Sequence, residues 1–380
     1  MMTELNQRLS QLKAYLTADP ANPHLLLELA DLHLQAGSQD EYEATLQRLF
    51  AAAPGHFGGR SLQGVGLMQQ GRLDEAAAAF QALRDDGWEE PALFYNLAYV
   101  LMLQGRYEEA EPQAAIAAKR LELLPQAGPL HVRALHFLGR LEEAVLAAES
   151  ALQQYPGHLV WYGLLATLYL DQENLAAAER VARQVLELSP SDPDAATVLG
   201  MLALSKQDLS VARPLLRQAC VSKPNSGRAQ MGLGLISMLD GQLDEAESRV
   251  VLALRAMPGH IGSWHVLAWC RILSHRPLEA KEALQEALRL DRNFADTHGG
   301  LAIVEIMEGR LQEAQQSVRR ALGLNAGSFP AQYAQSLLLQ SAGQAEQARA
   351  IHDRLLNSEV LPDGTKLNEA LARAMALSSF

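Results

Sequence analysis

Cysteine is nearly absent: the 380 residues contain only Cys220 and Cys270. Two thiols so far apart give neither a disulfide framework nor a zinc ribbon. No apolar run reaches the roughly eighteen residues a membrane-spanning helix needs, so no transmembrane segment or membrane insertion is expected. Cations are outnumbered, 32 Lys and Arg against 44 Asp and Glu, for a net charge of −12. A nucleic-acid backbone or an anionic membrane surface requires a basic patch, so neither is the expected partner. Adjacent cations such as Arg319-Arg320 read as a solvated helix face. The opening residues, Met1 to Arg8, lack the basic and apolar regions of a secretory signal. A reduced cytoplasm is therefore the expected setting. The 11 histidines form no His-Glu-x-x-His motif, and His131 and His136, five apart, fall on different sides of a helix. No nucleophile–base arrangement and no phosphate loop after a strand can be read from the chain. The expectation is no catalytic residue, no metal site, no cofactor and no enzyme activity.

What the chain does contain is a repeat. The stretch from Pro224 to Pro258 holds two helical patterns joined by a turn at Gly241-Gln242. Met231, Leu235 and Met238 recur at helical spacing in the first, and Leu243, Ala246, Val250 and Ala253 form the inward stripe of the second. Asp244 and Glu245 oppose the positive end of the second helix dipole. So small a pair cannot bury its own apolar faces and must stack on copies of itself. Steps of 34 from Ala246 give Ala76, Ala110, Ala144, Ala178, Ala212, Ala280, Ala314 and Ala348. Five residues earlier stand Gly71, Gly105, Gly139, Gly241, Gly309 and Gly343, and prolines recur at Pro20, Pro54, Pro156, Pro190, Pro224 and Pro258. Small residues let helices approach closely, glycine permits the turn, and proline stops the second helix.

A 34-residue period with the motifs Gly71-Arg72-Leu73-Asp74-Glu75-Ala76, Gly105-Arg106-Tyr107-Glu108-Glu109-Ala110, Gly139-Arg140-Leu141-Glu142-Glu143-Ala144 and Gly241-Gln242-Leu243-Asp244-Glu245-Ala246 resembles the tetratricopeptide repeat (TPR) family. The likeness covers nearly the whole chain. It implies an all-α fold, a right-handed superhelical solenoid of about ten helix pairs. Residues 1–22 are expected to be a half repeat, 23–360 the solenoid, and 361–380 a capping helix over the last repeat. Within the solenoid the unit from 123 to 154 is degraded: Gly128-Pro129 falls where its first helix should already be running. That helix is expected to start at Pro129 and be short, after a preceding helix that runs to about 121. Pro112 and Pro214 should bend their second helices slightly.

In this family the first helices of successive units line the concave face. The mid-helix column there carries Asp31, Val65, Tyr99, Arg133, Thr167, Met201, Leu235, Trp269 and Ile303, and later positions add Met102, Leu103, His136, Phe137, Leu170 and Met238. The face is mostly apolar, as a binding surface would be. The resemblance therefore implies a scaffold or adaptor that takes an apolar or amphipathic partner segment into the groove. Asn96, Arg133 and His136 would set its register. Asn96 and Arg133 occupy positions where some TPR domains clamp a carboxylate terminus, but the lysines of that arrangement are missing. Alternatives are burial of the face by a second copy, making a homodimer, or an accessory role in a bacterial secretion, polysaccharide or glycosyl-transfer machine. Gly232, Gly299 and Gly300 lie inside helices at a cost of about 1 kcal/mol each relative to alanine. Either a neighbouring helix or a ligand walled by Trp269, Met238 and Ile303 must come close there. The Pro-Gly-His turns at His56, His158 and His260 either contact a partner or simply open the next helix, the second being favoured.

Overall fold

The same backbone event begins every second helix. Five residues before the alanine column, Gly37, Gly71, Gly105, Gly139, Gly241, Gly309 and Gly343 take φ of 70–78°, a region open to glycine because it has no Cβ. The amide that follows reaches back to close the helix end: Arg72 N–H donates to the Leu67 carbonyl (3.0 Å) and Arg106 N–H to that of Leu101 (2.9 Å). Three lattice positions lack glycine and still adopt this conformation: Glu173 (59°), Gln207 (54°) and His275 (57°). The turn thus keeps its conformation whichever residue occupies it.

The computed structural model describes residues 2–357. The expected capping helix at 365–378 lies outside them. The chain divides into two compact units between Leu168 and Tyr169. The first contains α1 (Met2–Ala18) and the pairs α2 (Pro23–Gln35) with α3 (Gln39–Ala52), α4 (Phe57–Gln69) with α5 (Leu73–Asp85), α6 (Pro91–Leu103) with α7 (Tyr107–Ala118), and α8 (Ala127–Phe137) with α9 (Leu141–Gln154). Helix α10 (Leu159–Asp171) crosses the division. The second unit continues with α11 (Leu175–Leu188), α12 (Pro193–Ser205), α13 (Leu209–Ser222), α14 (Gly227–Leu239), α15 (Leu243–Ala256), α16 (Ile261–Leu273) and α17 (Pro277–Leu290). It ends with α18 (Ala295–Met307), α19 (Leu311–Leu324), α20 (Phe329–Ser341) and α21 (Ala345–Leu356). Among the described residues there are ten helix pairs after α1 and no strand. This is the all-α repeat fold.

Local chemistry accounts for the helix starts. Pro23, Pro91, Pro193 and Pro277 sit at first positions, where no amide is needed. Asn22 accepts from the His24 and Leu25 amides, and Asp192 from that of Ala195, satisfying donors that the helix leaves open. At second-helix starts Arg72, Arg106 and Arg140 pair with Glu75, Glu109 and Glu143 at 2.5, 2.6 and 2.7 Å. The lattice alanines from Ala76 to Ala314 are fully buried and hold the helices of each pair close. In the first pair Tyr42 replaces the alanine. Its hydroxyl donates to the Leu62 carbonyl (3.0 Å), and the missing side chain of Gly66 makes room for the ring.

The degraded repeat departs most from the expected pattern. Helix α7 stops at Ala118 instead of near 121, and the next eight residues form tight turns, with the Leu123 and Leu124 amides bonded to the Arg120 carbonyl at 3.0 and 2.9 Å. Helix α8 then starts at Ala127, ahead of the expected Pro129, and runs only 11 residues. The turns at 119–126 thus stand where a regular repeat would have helix.

Candidate partner-binding site

That lost helical turn opens a cavity in the first unit. Its volume is about 570 Å³, and its walls are Tyr95 and Tyr99 on α6, Leu121, Glu122, Pro125 and Gln126 in the turns, Pro129, Leu130 and Arg133 on α8, Tyr155 and His158 before α10, and Val160 and Trp161 on α10. Tyr95 and Tyr99 lie one helical turn apart with near-parallel rings, centroids 6.1 Å apart. Trp161 forms the floor, and Gly128 lets it lie there: a Cβ on Gly128 would sit 2.5 Å from the tryptophan ring and 2.9 Å from Leu121. The lining is mainly aromatic and aliphatic with few polar groups.

Those few are informative. Glu122 is paired with Arg120 at 2.5 Å. Arg133 is exposed and has no ion-pair partner among the described residues. Burial, with Tyr99 adding, raises the Tyr95 hydroxyl above the ordinary tyrosine range, while the nearby Arg133 pulls it the other way. Three tyrosine hydroxyls and one uncommitted guanidinium can therefore donate to an acceptor at the rim.

Of the residues singled out from the sequence, Tyr99 and Arg133 meet at this cavity. Asn96 and His136 are half-buried and do not line it. Met102 packs into the core beside Ala98 and Leu130. Leu103 and Phe137 are more than half exposed, and Phe137 stacks on Tyr107 at 4.7 Å. In the second unit, Leu170, Met201, Leu235, Met238 and Trp269 are half-buried. Ile303 is 2% exposed and belongs to the core around Leu267 and Leu284; it offers a partner no surface.

The helical glycines also find their explanation in neighbouring protein. A Cβ on Gly299 would lie 2.5 Å from the Ala331 amide nitrogen, one on Gly232 would meet Leu216 and Met201, and one on Gly300 would meet Leu284. The close approach there is by adjacent helices, so the ligand alternative at these glycines falls. Two of the three Pro-Gly-His turns are helix caps: His56 Nδ1 accepts from the Gly59 amide (3.2 Å) and His260 Nδ1 from that of Ser263 (3.1 Å). The third, His158, stands on the cavity rim beside Tyr155.

Tetratricopeptide-repeat models match residues 62–127, 138–202, 197–260 and 274–329, together more than half of the chain. The chain belongs to the tetratricopeptide repeat family. No curated protein matches. The fold is similar to the structure titled "Crystal structure of APC/C hetero-tetramer Cut9-Hcn1", at 13% identity over 92% of this chain and 94% of that one, with a TM-score of 0.44. It is also similar to one titled "Functional Characterization of Pseudomonas Aeruginosa pilF", at 21% identity over 56% of this chain and 96% of that one, with a TM-score of 0.41. Most of the cavity escaped the sequence reading. Tyr95, Tyr155, Val160 and Trp161 are TPR positions outside the inner-face positions named from the sequence, and His158 was noted only as a turn residue. The usable signal was the break at Gly128-Pro129. Among the described residues no three His, Cys, Asp or Glu side chains could share a metal ion, and no helix is long and apolar enough to cross a membrane.

Proposed function

We propose that this TPR chain is a non-catalytic interaction scaffold that holds an apolar or amphipathic segment of a partner protein along the inner face of its first unit. The cavity bounded by Tyr95, Tyr99 and Trp161 is the anchor. That cavity is the observation that carries the reading. Its volume of about 570 Å³ falls within the roughly 300–1,000 Å³ of pockets that receive ligands. Rigid aromatic walls around a bulky side chain are the usual anchor of a protein interface, and seating one such side chain contributes about 1.5–3 kcal/mol. The exposed Leu103 and Phe137 extend the apolar surface beyond the cavity. Asn96 and His136 flank it as polar contacts, with Met102 supporting from below. The half-buried side chains of the second unit, Leu170, Met201, Leu235, Met238 and Trp269, are secondary contacts at most.

Site-specific photo-crosslinking tests the reading. A photoreactive residue replacing Tyr99, in cells that express the chain, should yield a discrete adduct with another protein. The same residue at Leu146, exposed on the second helix of its pair, should not. Equal adducts at both positions would remove the anchor. An adduct of twice the chain's own mass would place a second copy on this face.

A further inference from the structure

The inner column of the first unit changes character along its length. Asp31, Val65, Tyr99 and Arg133 occupy one lattice position on α2, α4, α6 and α8, and each of these helices touches the next. At one end a shallow cavity of about 370 Å³ is lined by His24, Glu28 and Asp31 together with Leu27, Phe57 and Val65. Glu28 is engaged by Arg8 at 2.6 Å. Asp31 accepts only from the Gln35 amide side chain (2.8 Å) and has no ion-pair partner among the described residues. At the other end the larger cavity carries Arg133, likewise unpaired. Half-buried Asp31 and exposed Arg133, opposite in sign and both without an ion-pair partner, thus share one lattice column, whereas half-buried charges elsewhere among the described residues are largely paired, such as Arg213 with Asp240 and Glu247 with Arg271 and Arg276.

We infer that the partner segment is bipolar and lies in one direction: a bulky apolar side chain fills the Tyr95–Tyr99–Trp161 cavity with a neighbouring carboxylate on Arg133, and a basic side chain three helices away meets Asp31. This rests on the scaffold reading above. Packed helices lie about 8–10 Å apart, so three steps cover about 25–30 Å. An extended segment of about nine residues spans that distance. Opposite charges at the two ends attract the segment in one orientation and repel it in the other, which sets register as well as affinity. Between them Val65 and Met68 offer an apolar floor, so the intervening residues need no charge.

A displayed library of random peptides, each about 12 residues long, selected on the full chain tests this. The enriched peptides should carry Asp or Glu beside Trp, Phe or Leu at one end and Lys or Arg toward the other. Binding of a synthetic enriched peptide, read by fluorescence anisotropy, should weaken roughly tenfold or more with Arg133→Glu and with Asp31→Lys. Exchanging the peptide carboxylate for lysine should restore binding to Arg133→Glu. Trp161 is buried, so Tyr99→Ala, whose ring is exposed, is the variant that reports on the cavity without disturbing the core. Peptides sensitive to Tyr99→Ala but indifferent to both charge reversals overturn the bipolar inference and leave the scaffold reading standing. Peptides indifferent to Tyr99→Ala as well, or no enrichment above an empty matrix, overturn both.

Discussion

In the first unit the inner column opens into a cavity at Tyr99 and Arg133, whereas in the second its counterparts Met201, Leu235 and Trp269 are half-covered and Ile303 is sealed. Both stretches share one 34-residue lattice. They differ in one repeat. Helices α14, α16, α18 and α20 are all 13 residues long and keep register, and α18 packs extensively on α20. Helix α8 has 11 residues and follows eight residues of turn. A regular repeat closes its own seams, and the repeat that loses part of a helix leaves space lined by its own turn residues and by aromatic side chains from both neighbours, Tyr95 and Tyr99 on one side and Tyr155 and Trp161 on the other. On this chain irregularity, more than the lattice, makes a place for a partner.

The largest effect should come from breaking the closure of the second unit. Gly299→Ala places a methyl 2.5 Å from a backbone nitrogen, and backbone in a packed helix cannot step aside. We expect a loss of about 3 kcal/mol or more in chemical denaturation followed by circular dichroism. Gly128→Ala meets the edge of the Trp161 ring at the same distance, but the cavity gives that ring somewhere to go. Its cost should be about 1–2 kcal/mol, with a change in Trp161 fluorescence that Gly299→Ala lacks. If Gly128→Ala proves the costlier, the first unit is as tightly closed as the second and the cavity is not real space.

A smaller difference should appear with pH. Burial holds His260 and His265 in the second unit, and His33 in the first, below the ordinary histidine value of 6.5, with Arg228 adding to the effect on His260 and Lys13 to that on His33. A lowered folded-state pKa means that the unfolded chain takes up protons first as the pH falls. Stability is therefore complete above about pH 6.5 and declines below it, until the folded histidines also protonate. The second unit holds two of the three, so its denaturation midpoint should fall further between about pH 7.5 and 5.5. His260→Asn, which keeps a capping oxygen and removes the titration, should flatten part of that decline. An unchanged slope would show that His260 is open to solvent.

The fold was readable in the sequence because each repeat spends the same few residues on the same physical tasks. Alanine marks close approach, glycine the reversal and proline the stop, so helix boundaries such as those of α10, α11, α12 and α13 follow from counting. The cavity was readable only as a defect. Gly128-Pro129 announces that a helix fails there, but where the released turn goes depends on Leu121 and Trp161, residues 40 apart in sequence that both close on Gly128. The column of Tyr99 and Arg133 was found because it obeys the lattice. Ile303 obeys it too and is buried, since β-branched bulk on a regular helix packs into the next repeat. The helical glycines were ambiguous for a related reason: a missing side chain reports close approach without naming what approaches.

The smallest effect returns to the turns. The first unit has glycine at all four of its lattice turns, Gly37, Gly71, Gly105 and Gly139, while the second holds Glu173, Gln207 and His275 at φ of 54–59° alongside its own glycines. A side chain in that region strains against its own carbonyl by about 1–2 kcal/mol, and glycine gives back part of the gain through the greater freedom of its unfolded chain. Glu173→Gly, Gln207→Gly and His275→Gly should therefore each stabilise the second unit by about 0.5–1 kcal/mol, and nearly additively, because no hydrogen bond or ion pair among the described residues joins these three to one another. Gly105→Ala in the first unit should cost a similar amount. Denaturation midpoints measured on the triple variant would decide between two accounts of the unit's stability. A gain confirms that helix packing forces the turn on whatever residue is present, and the absence of one would mean that Glu173, Gln207 and His275 make contacts of their own that offset the strain.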